Sequence, residues 1–407
     1  MNSASSPTGT ETAAPIASFC PLSDDHGPTG RVDPEGQRRW YSIEGVEAMR
    51  PFLMSLVSDS DHWLFMLSSG ALTAGRVNPD HALLPYYTQD KLQDMASASG
   101  SQTLLMVREN DREHLWEPFR PTWDRSSSIS RRLSKNDLGN HIRLEEFHAQ
   151  LGLLITISWR PSEHYGFVRR MELLNVSGES RHIRVLDGLR NLLPSGLGQR
   201  FQNEFSILGD AYKQAELDLE SGLATYHLSS RPTDLAEPLE ALLANVAWQA
   251  GLPAETVLLS EEGQEGFFKG IPLQTETALR GRRGAYLGIR HLELQPGADP
   301  TIWYTCADVD KDVVATEALA AELRAHGTAI VHRIEADCLA TEQRLCQMLA
   351  AADGFQWTAA ANRTLRHTSN TTFNLMRGGA FVTGYELPRE DLLASVAHFN
   401  AEAATDL

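Results

Sequence analysis

Between Asn140 and Pro194 the chain alternates apolar and polar residues with a period of two. Ile142 and Leu144 alternate with Arg143 and Glu145. After a break at His148–Gly152, Leu153, Ile155, Ile157 and Trp159 share one parity, with Thr156 and Ser158 on the other. Successive strand side chains point to opposite faces, so this pattern predicts half-buried antiparallel strands. A third run, Phe167–Val176, carries apolar residues on both parities (Met171 and Leu173 against Val168 and Leu174) and predicts a strand covered on both sides. Ser177–Gly178–Glu179 is a turn. In the fourth run Ile183 and Val185 alternate with His182 and Arg184.

The same period recurs in shorter pieces at Trp40–Ser42, His62–Leu67, Ala71–Arg76, Thr103–Arg108, Gly222–Ser230, Leu242–Ala250, Thr256–Leu259, Ala285–Leu294 and Thr301–Ala307. From Leu186 the pattern reads as a glycine-rich loop. It then takes helical spacing, with Phe201, Phe205, Leu208 and Tyr212 on one face. Asp310–His326 and Ile330–Ala352 are helical by apolar spacing, Thr368–Tyr385 reads as a loop, and Pro388–Ala403 as a short helix. The expectation is a mainly β protein: a disordered leader over 1–35, a large antiparallel β sandwich over 36–309, and a helical connector over 310–407.

Composition narrows the function classes. The net charge of −17 argues against nucleic acid, whose phosphates need clustered Lys and Arg. No apolar run reaches about 18 residues, the length a membrane-spanning helix needs. The first residues lack the basic start and apolar block of a secretory signal. The four cysteines show no metal or disulfide spacing, so a reducing cytoplasm fits best and no metal site is implied.

Three constellations carry candidate chemistry. Arg76, Asp80, His81 and Tyr86 crowd one loop between strands, where polar groups beside aromatic rings suit a sugar. The alternative there is a packed loop with capped turns. Trp123, Asp124 and Arg125 combine an aromatic platform with charge, against a Trp folded onto the core. Asp187, Arg190 and Glu204 form the third group. Asp187 and Glu204 are a candidate acid/base pair of the kind glycosidases use, although Asp187–Gly188 is also a turn signature.

The stretches LDGLRNLLPSG, NEFSILGDAYKQAELDLESGLATYHLSSRPTDLAEP and NTTFNLMRGGAFVTGYELPREDL resemble the N-terminal portion of bacterial cellobiose phosphorylase-like proteins. RVNPDHALLPYYTQDKL and SKNDLGNHIRLEEFHAQLGL fit the same resemblance. It implies a β supersandwich of galactose-mutarotase type, a helical linker, and then a catalytic (α/α) barrel that supplies the general acid. The sandwich would shape the sugar cleft and a homodimer interface. The barrel would be missing here or separately encoded. No catalytic residue and no cofactor carry over. The substrate class implied is a β-glucoside or oligosaccharide. Two alternatives stay open: a stand-alone carbohydrate-binding module, and a mutarotase-like epimerase, which needs a His and a carboxylate in one cleft.

Overall fold

The computed structural model describes residues 27–35, 38–109, 112–120, 128–204, 206–231, 240–356, 358–378 and 388–405. In chain order the strands open with β1 (Thr29–Glu35), β2 (Arg38–Glu44), β3 (Leu53–Leu56), β4 (His62–Leu67) and β5 (Leu72–Arg76). A short helix α1 (Gln89–Asp94) leads to β6 (Gly100–Glu109) and β7 (Arg112–Trp116). The long strands follow as β8 (Ile129–Asn136), β9 (Ile142–His148), β10 (Leu153–Ser162), β11 (Gly166–Asn175) and β12 (Arg181–Leu192). Helices α2 (Gln199–Glu204) and α3 (Ser206–Tyr212) precede β13 (Lys213–Leu217), β14 (Ala224–Leu228), β15 (Ala244–Ala250) and β16 (Thr256–Leu258). Then come α4 (Gln264–Phe268), β17 (Ala278–Arg280), β18 (Gly284–Leu294) and β19 (Thr301–Lys311). The chain closes with α5 (Val313–His326), α6 (Ile330–Ala351), α7 (Ala361–Gly378) and α8 (Arg389–Phe399).

An eleven-stranded antiparallel sheet takes the order β1-β2-β8-β9-β10-β11-β19-β15-β14-β13-β17, facing a five-stranded sheet, β16-β18-β12-β6-β7, and a three-stranded one, β3-β4-β5. The core between them holds Leu144, Ile155, Ile157, Phe167, Met171 and Leu173 of the large sheet against Leu105, Val107, Ile183, Val185 and Leu189 of the five-stranded one. Each such side chain, once buried, contributes roughly 1.5–3 kcal/mol of transfer free energy.

The apolar residues on both parities of β11 have a plain cause. Met171 and Leu173 point into the first core, while Val168 points outward into a second. There Tyr165, Val168, Trp248, Tyr304 and Cys306 meet Leu319 and Leu323 of α5 and Ile330, Ile334 and Cys338 of α6. Polar pins fix the helices. Arg160 pairs with Glu335, the Tyr304 hydroxyl donates to Glu335 at 2.7 Å, and Arg38 meets Glu342 at 2.7 Å. Thus α5 and α6 pack as a third layer on the large sheet. No helix among the described residues is long and apolar enough to cross a membrane.

Four local expectations are corrected. Thr29–Glu35, assigned to the leader by composition, is an edge strand paired with β2. The supposed loop from Leu186 starts too early: β12 runs on to Leu192, and the loop with Pro194, Gly196 and Gly198 follows it. Asp187–Gly188 is therefore no turn: Gly188 sits opposite Leu287, where a Cβ would lie 1.8 Å from the Tyr286 carbonyl oxygen. Glycine is there because two backbones approach closely. Residues 361–378 form helix α7 through most of the segment read as a loop; its Thr368 and Thr372 hydroxyls bond back to carbonyls four residues earlier. Of the predicted helical face, Phe201 and Tyr212 pack on Leu193, Leu197 and Leu228, Leu208 is exposed, and Phe205 lies outside the described residues.

Candidate functional site

The loop after β5 returns to the sheet by a bridge between Gly75 and Ala82, which gathers Arg76, Asp80 and His81 at one rim. Arg76 donates to both oxygens of the buried Asp308 at 2.7 and 3.0 Å, to Asp61 at 2.9 Å and to the Glu163 carbonyl at 2.9 Å. Asp308 and Asp61 raise its pKa further, against the cost of burial. Arg76 is thus a clamp between elements, with its donors committed. Asp80 accepts from the Gln199 amide at 2.8 Å and so caps the start of α2. Tyr86 stands edge-on to Trp63, with ring centroids 5.5 Å apart. His81 differs from these. Its Nδ1 lies 2.5 Å from Asp310 Oδ2, and its side chain is 45% exposed. Asp310 also accepts from Ser195 Oγ at 2.6 Å, and its amide donates to Asn245 at 3.0 Å, holding a positive φ of 54°. A non-glycine residue held there marks a tightly determined backbone.

The third constellation dissolves. Asp187 is fully buried between the sheets. It accepts from Arg169 at 2.8 and 2.9 Å, from Thr103 Oγ1 at 2.6 Å and from Trp303 Nε1 at 2.7 Å. Burial alone pushes its carboxyl up, yet Arg169 and the two neutral donors outweigh burial and hold it below the ordinary value. Glu204 is exposed on α2 and pairs with Arg200 at 3.1 Å. One carboxylate is sealed in the core and the other stands in solvent, so they are not an acid/base pair. Arg190 is buried and donates to the carbonyls of Ser97 at 2.5 Å and Ala96 at 3.1 Å, a tether below α1 rather than a ligand contact. Trp123, Asp124 and Arg125 lie outside the described residues. Their neighbour Trp116 is folded into the core and donates to Glu146 at 2.7 Å.

A concentrated polar cluster lies elsewhere, on the outer side of the large sheet, with Ser42, Arg132, Ser134, Glu145 and Ser158 buried within it. The strand registers align Glu44, Arg132, Glu145, Thr156 and Glu172 in one row across β2, β8, β9, β10 and β11. The next row runs Ser42, Ser134, Arg143, Ser158 and Arg170. Neither row contains an apolar residue. Arg132 reaches Glu44 at 3.1 Å and Glu145 at 3.6 Å, while Arg143 reaches Glu35 at 3.0 Å and lies 4.4 Å over the Trp40 ring. Burial pushes the Glu145 carboxyl up, against the pull of Arg132 and Arg143, and Glu172 and Glu35 add to the rise. A perturbed carboxyl is found at functional sites and in structural ion-pair networks alike, so the cluster is a candidate site. The signal was present in the alternation itself: Arg143, Glu145, Thr156 and Ser158 were the polar parity of the opening strands. What the sequence lacked was the register that sets them side by side.

The sheets define the class directly: a mainly β protein built on one large antiparallel sheet and its smaller partners. No family model matches the chain, and no curated protein matches it. Similar solved structures include one assigned as a kojibiose phosphorylase from the human microbiome, at 9% identity and a TM-score of 0.37, covering 67% of this chain and 31% of that one. The GalM/aldose epimerase homologue of C. elegans matches at 9% identity and 0.31, covering 65% of this chain and 100% of that one. A GH36 alpha-galactosidase of Geobacillus stearothermophilus matches at 11% and 0.31, over 67% and 42%. The chain therefore spans about a third of the phosphorylase-named structure. All three carry sugar-related names. At such identities and TM-scores the likenesses carry no argument about this chain.

Proposed function

We propose that this chain is the β-sandwich unit of a carbohydrate-active enzyme of glycoside phosphorylase or hydrolase type. It shapes the sugar cleft, and another domain or subunit supplies the catalytic groups. One observation supports this reading above the rest: two adjacent rows of charged and hydroxyl side chains cross five strands without an apolar interruption. Sugar hydroxyls take paired donors and acceptors, and guanidinium and carboxylate groups offer them in planar, two-pronged form. Glu145 sits among these groups with its carboxyl pushed up by burial, against the pull of Arg132 and Arg143. The test is calorimetric titration with gluco-oligosaccharides, comparing the native chain with Glu145→Gln and Glu172→Gln. Saturable heat, weakened about tenfold or more by either change, is expected. No heat with any sugar, or affinity unchanged in both variants, refutes the reading.

A second reading rests on the His81–Asp310 contact at the rim. A carboxylate that orients a histidine through Nδ1 leaves Nε2 for proton transfer, as an aldose epimerase requires. Polarimetry of freshly dissolved glucose and galactose tests it. Mutarotation above the buffer rate that disappears in His81→Gln supports the epimerase, and a buffer-equal rate eliminates it.

A further inference from the structure

The outer face of the five-stranded sheet is divided. Over Leu104, Leu186, Ala285, Leu287 and Ile289 it is covered by α4 and the following segment, through Phe267 and Leu273. Beyond that cover lies an open groove of about 430 Å³, lined chiefly by Arg108, Glu113, His182, Arg184, His291 and Glu293. The register sets His182 between Arg108 and Glu293, and Arg184 beside His291.

Each carboxylate here is already engaged. Glu113 accepts from Arg184 Nη2 at 3.2 Å. Glu255, beside the groove, accepts from the His291 amide at 2.9 Å and lies 2.8 Å from its Nδ1. Glu293 accepts from Gln295 at 2.8 Å and from Ser180 at 3.5 Å, which turns it toward the end of the sheet. Arg184 is engaged in part, through Nη2 to Glu113, whereas Arg108 is exposed and has no ion pair among the described residues. Arg184 lies against the Phe267 ring at 5.2 Å, and its buried Nε has no partner among the described residues. Gly270, at a φ of +64°, keeps the space beside Arg184 Nη1 free: a Cβ there would lie 3.1 Å from that nitrogen. Glu255 fixes the His291 ring by one nitrogen, leaving the other toward solvent.

We propose that this groove binds a small oxyanion, the carboxylate or phosphoryl group of a metabolite. Arg108 and Arg184 Nη1, beside the space that Gly270 leaves open, are its charged donors, and His182 and His291 flank it. A planar guanidinium matches a two-oxygen anion, and charge-assisted contacts of this kind are the stronger class of hydrogen bond. The site is separate from the polar rows of the large sheet and does not depend on them.

The probes are inorganic phosphate and glucuronate, with glucose as the uncharged control, titrated into the intact chain while the histidine ring protons are followed by NMR. His182→Gln assigns its resonance. Saturable shifts at His182 and His291 are expected with at least one probe. Phosphate alone identifies a phosphoryl ligand, glucuronate alone a carboxylate. The Arg108→Gln chain should bind about tenfold more weakly, the loss of one charge-assisted contact, and the His182→Gln chain more weakly than the native one through the loss of a flanking hydrogen-bonding group. Both side chains are exposed, so their circular dichroism and melting should match the native chain. No saturable shift with either charged probe, equal saturation by glucose, or native affinity in both variants overturns the assignment.

Discussion

Replacing Asp187 by Ala removes the acceptor at the centre of the inter-sheet network. Four short hydrogen bonds end on this carboxylate, two from Arg169 and one each from Thr103 and Trp303. Arg169 and Asp187 are both 0% exposed. The variant therefore strands a guanidinium in the core, which costs about 3–5 kcal/mol. The two neutral donors left unpaired fall within that figure, since such losses do not add. By contrast, removing the exposed Glu204 from its pair with Arg200 changes stability by about 0.5 kcal/mol or less. Urea unfolding of the two variants side by side measures both. An Arg169→Met/Asp187→Leu double change should be far less harmful than Asp187→Leu alone, because no unpaired charge remains. Because Asp187 is held below its ordinary carboxylate value, its stabilisation is complete above about pH 4 and is lost as pH falls through the native value. A cost under about 1 kcal/mol for Asp187→Ala, or a double variant as damaged as the sum of the singles, would refute the argument.

Three further outcomes follow from packing and protonation. His62 is buried, with Nδ1 near Ser58 and Ser60 at 3.1 and 2.9 Å; burial first, then Arg76, lowers its pKa to about 4. The unfolded ring titrates near 6.5, so its contribution is complete above that pH and falls by roughly 2–4 kcal/mol toward pH 4. A His62→Gln chain should lose less stability than the native chain across that window, and parallel pH curves would count against it. Ile334→Ala, at the fully buried contact of α6 with the large sheet, should cost about 2–5 kcal/mol in urea unfolding; a cost under about 1 kcal/mol would show that α6 is not an integral layer. Trp303→Phe keeps most of the ring but deletes the donor to Asp187, so a loss of about 1–3 kcal/mol is expected by the same method.

Much of this protein was legible in its residues because strand alternation records burial directly. The four runs from Ile142 to Val185 emerge as β9 to β12, and the double apolar parity of Phe167–Val176 announced a strand covered on both faces. The helices at 313–326 and 330–351 were equally readable from their spacing. Three-dimensional proximity was not readable. Nothing local to Asp187 distinguishes a core anchor from a catalytic acid; its partners are 18, 84 and 116 residues away. Composition could not separate a connector from a covering layer, because that depends on which sheet face the apolar stripe meets. The polar rows had the same limit. Alternation placed Arg143 and Glu145 on one side of one strand, but only the register of five strands aligns Glu44, Arg132, Glu145, Thr156 and Glu172. Period along a strand is a local property of the sequence, whereas neighbours across strands are decided by long-range pairing.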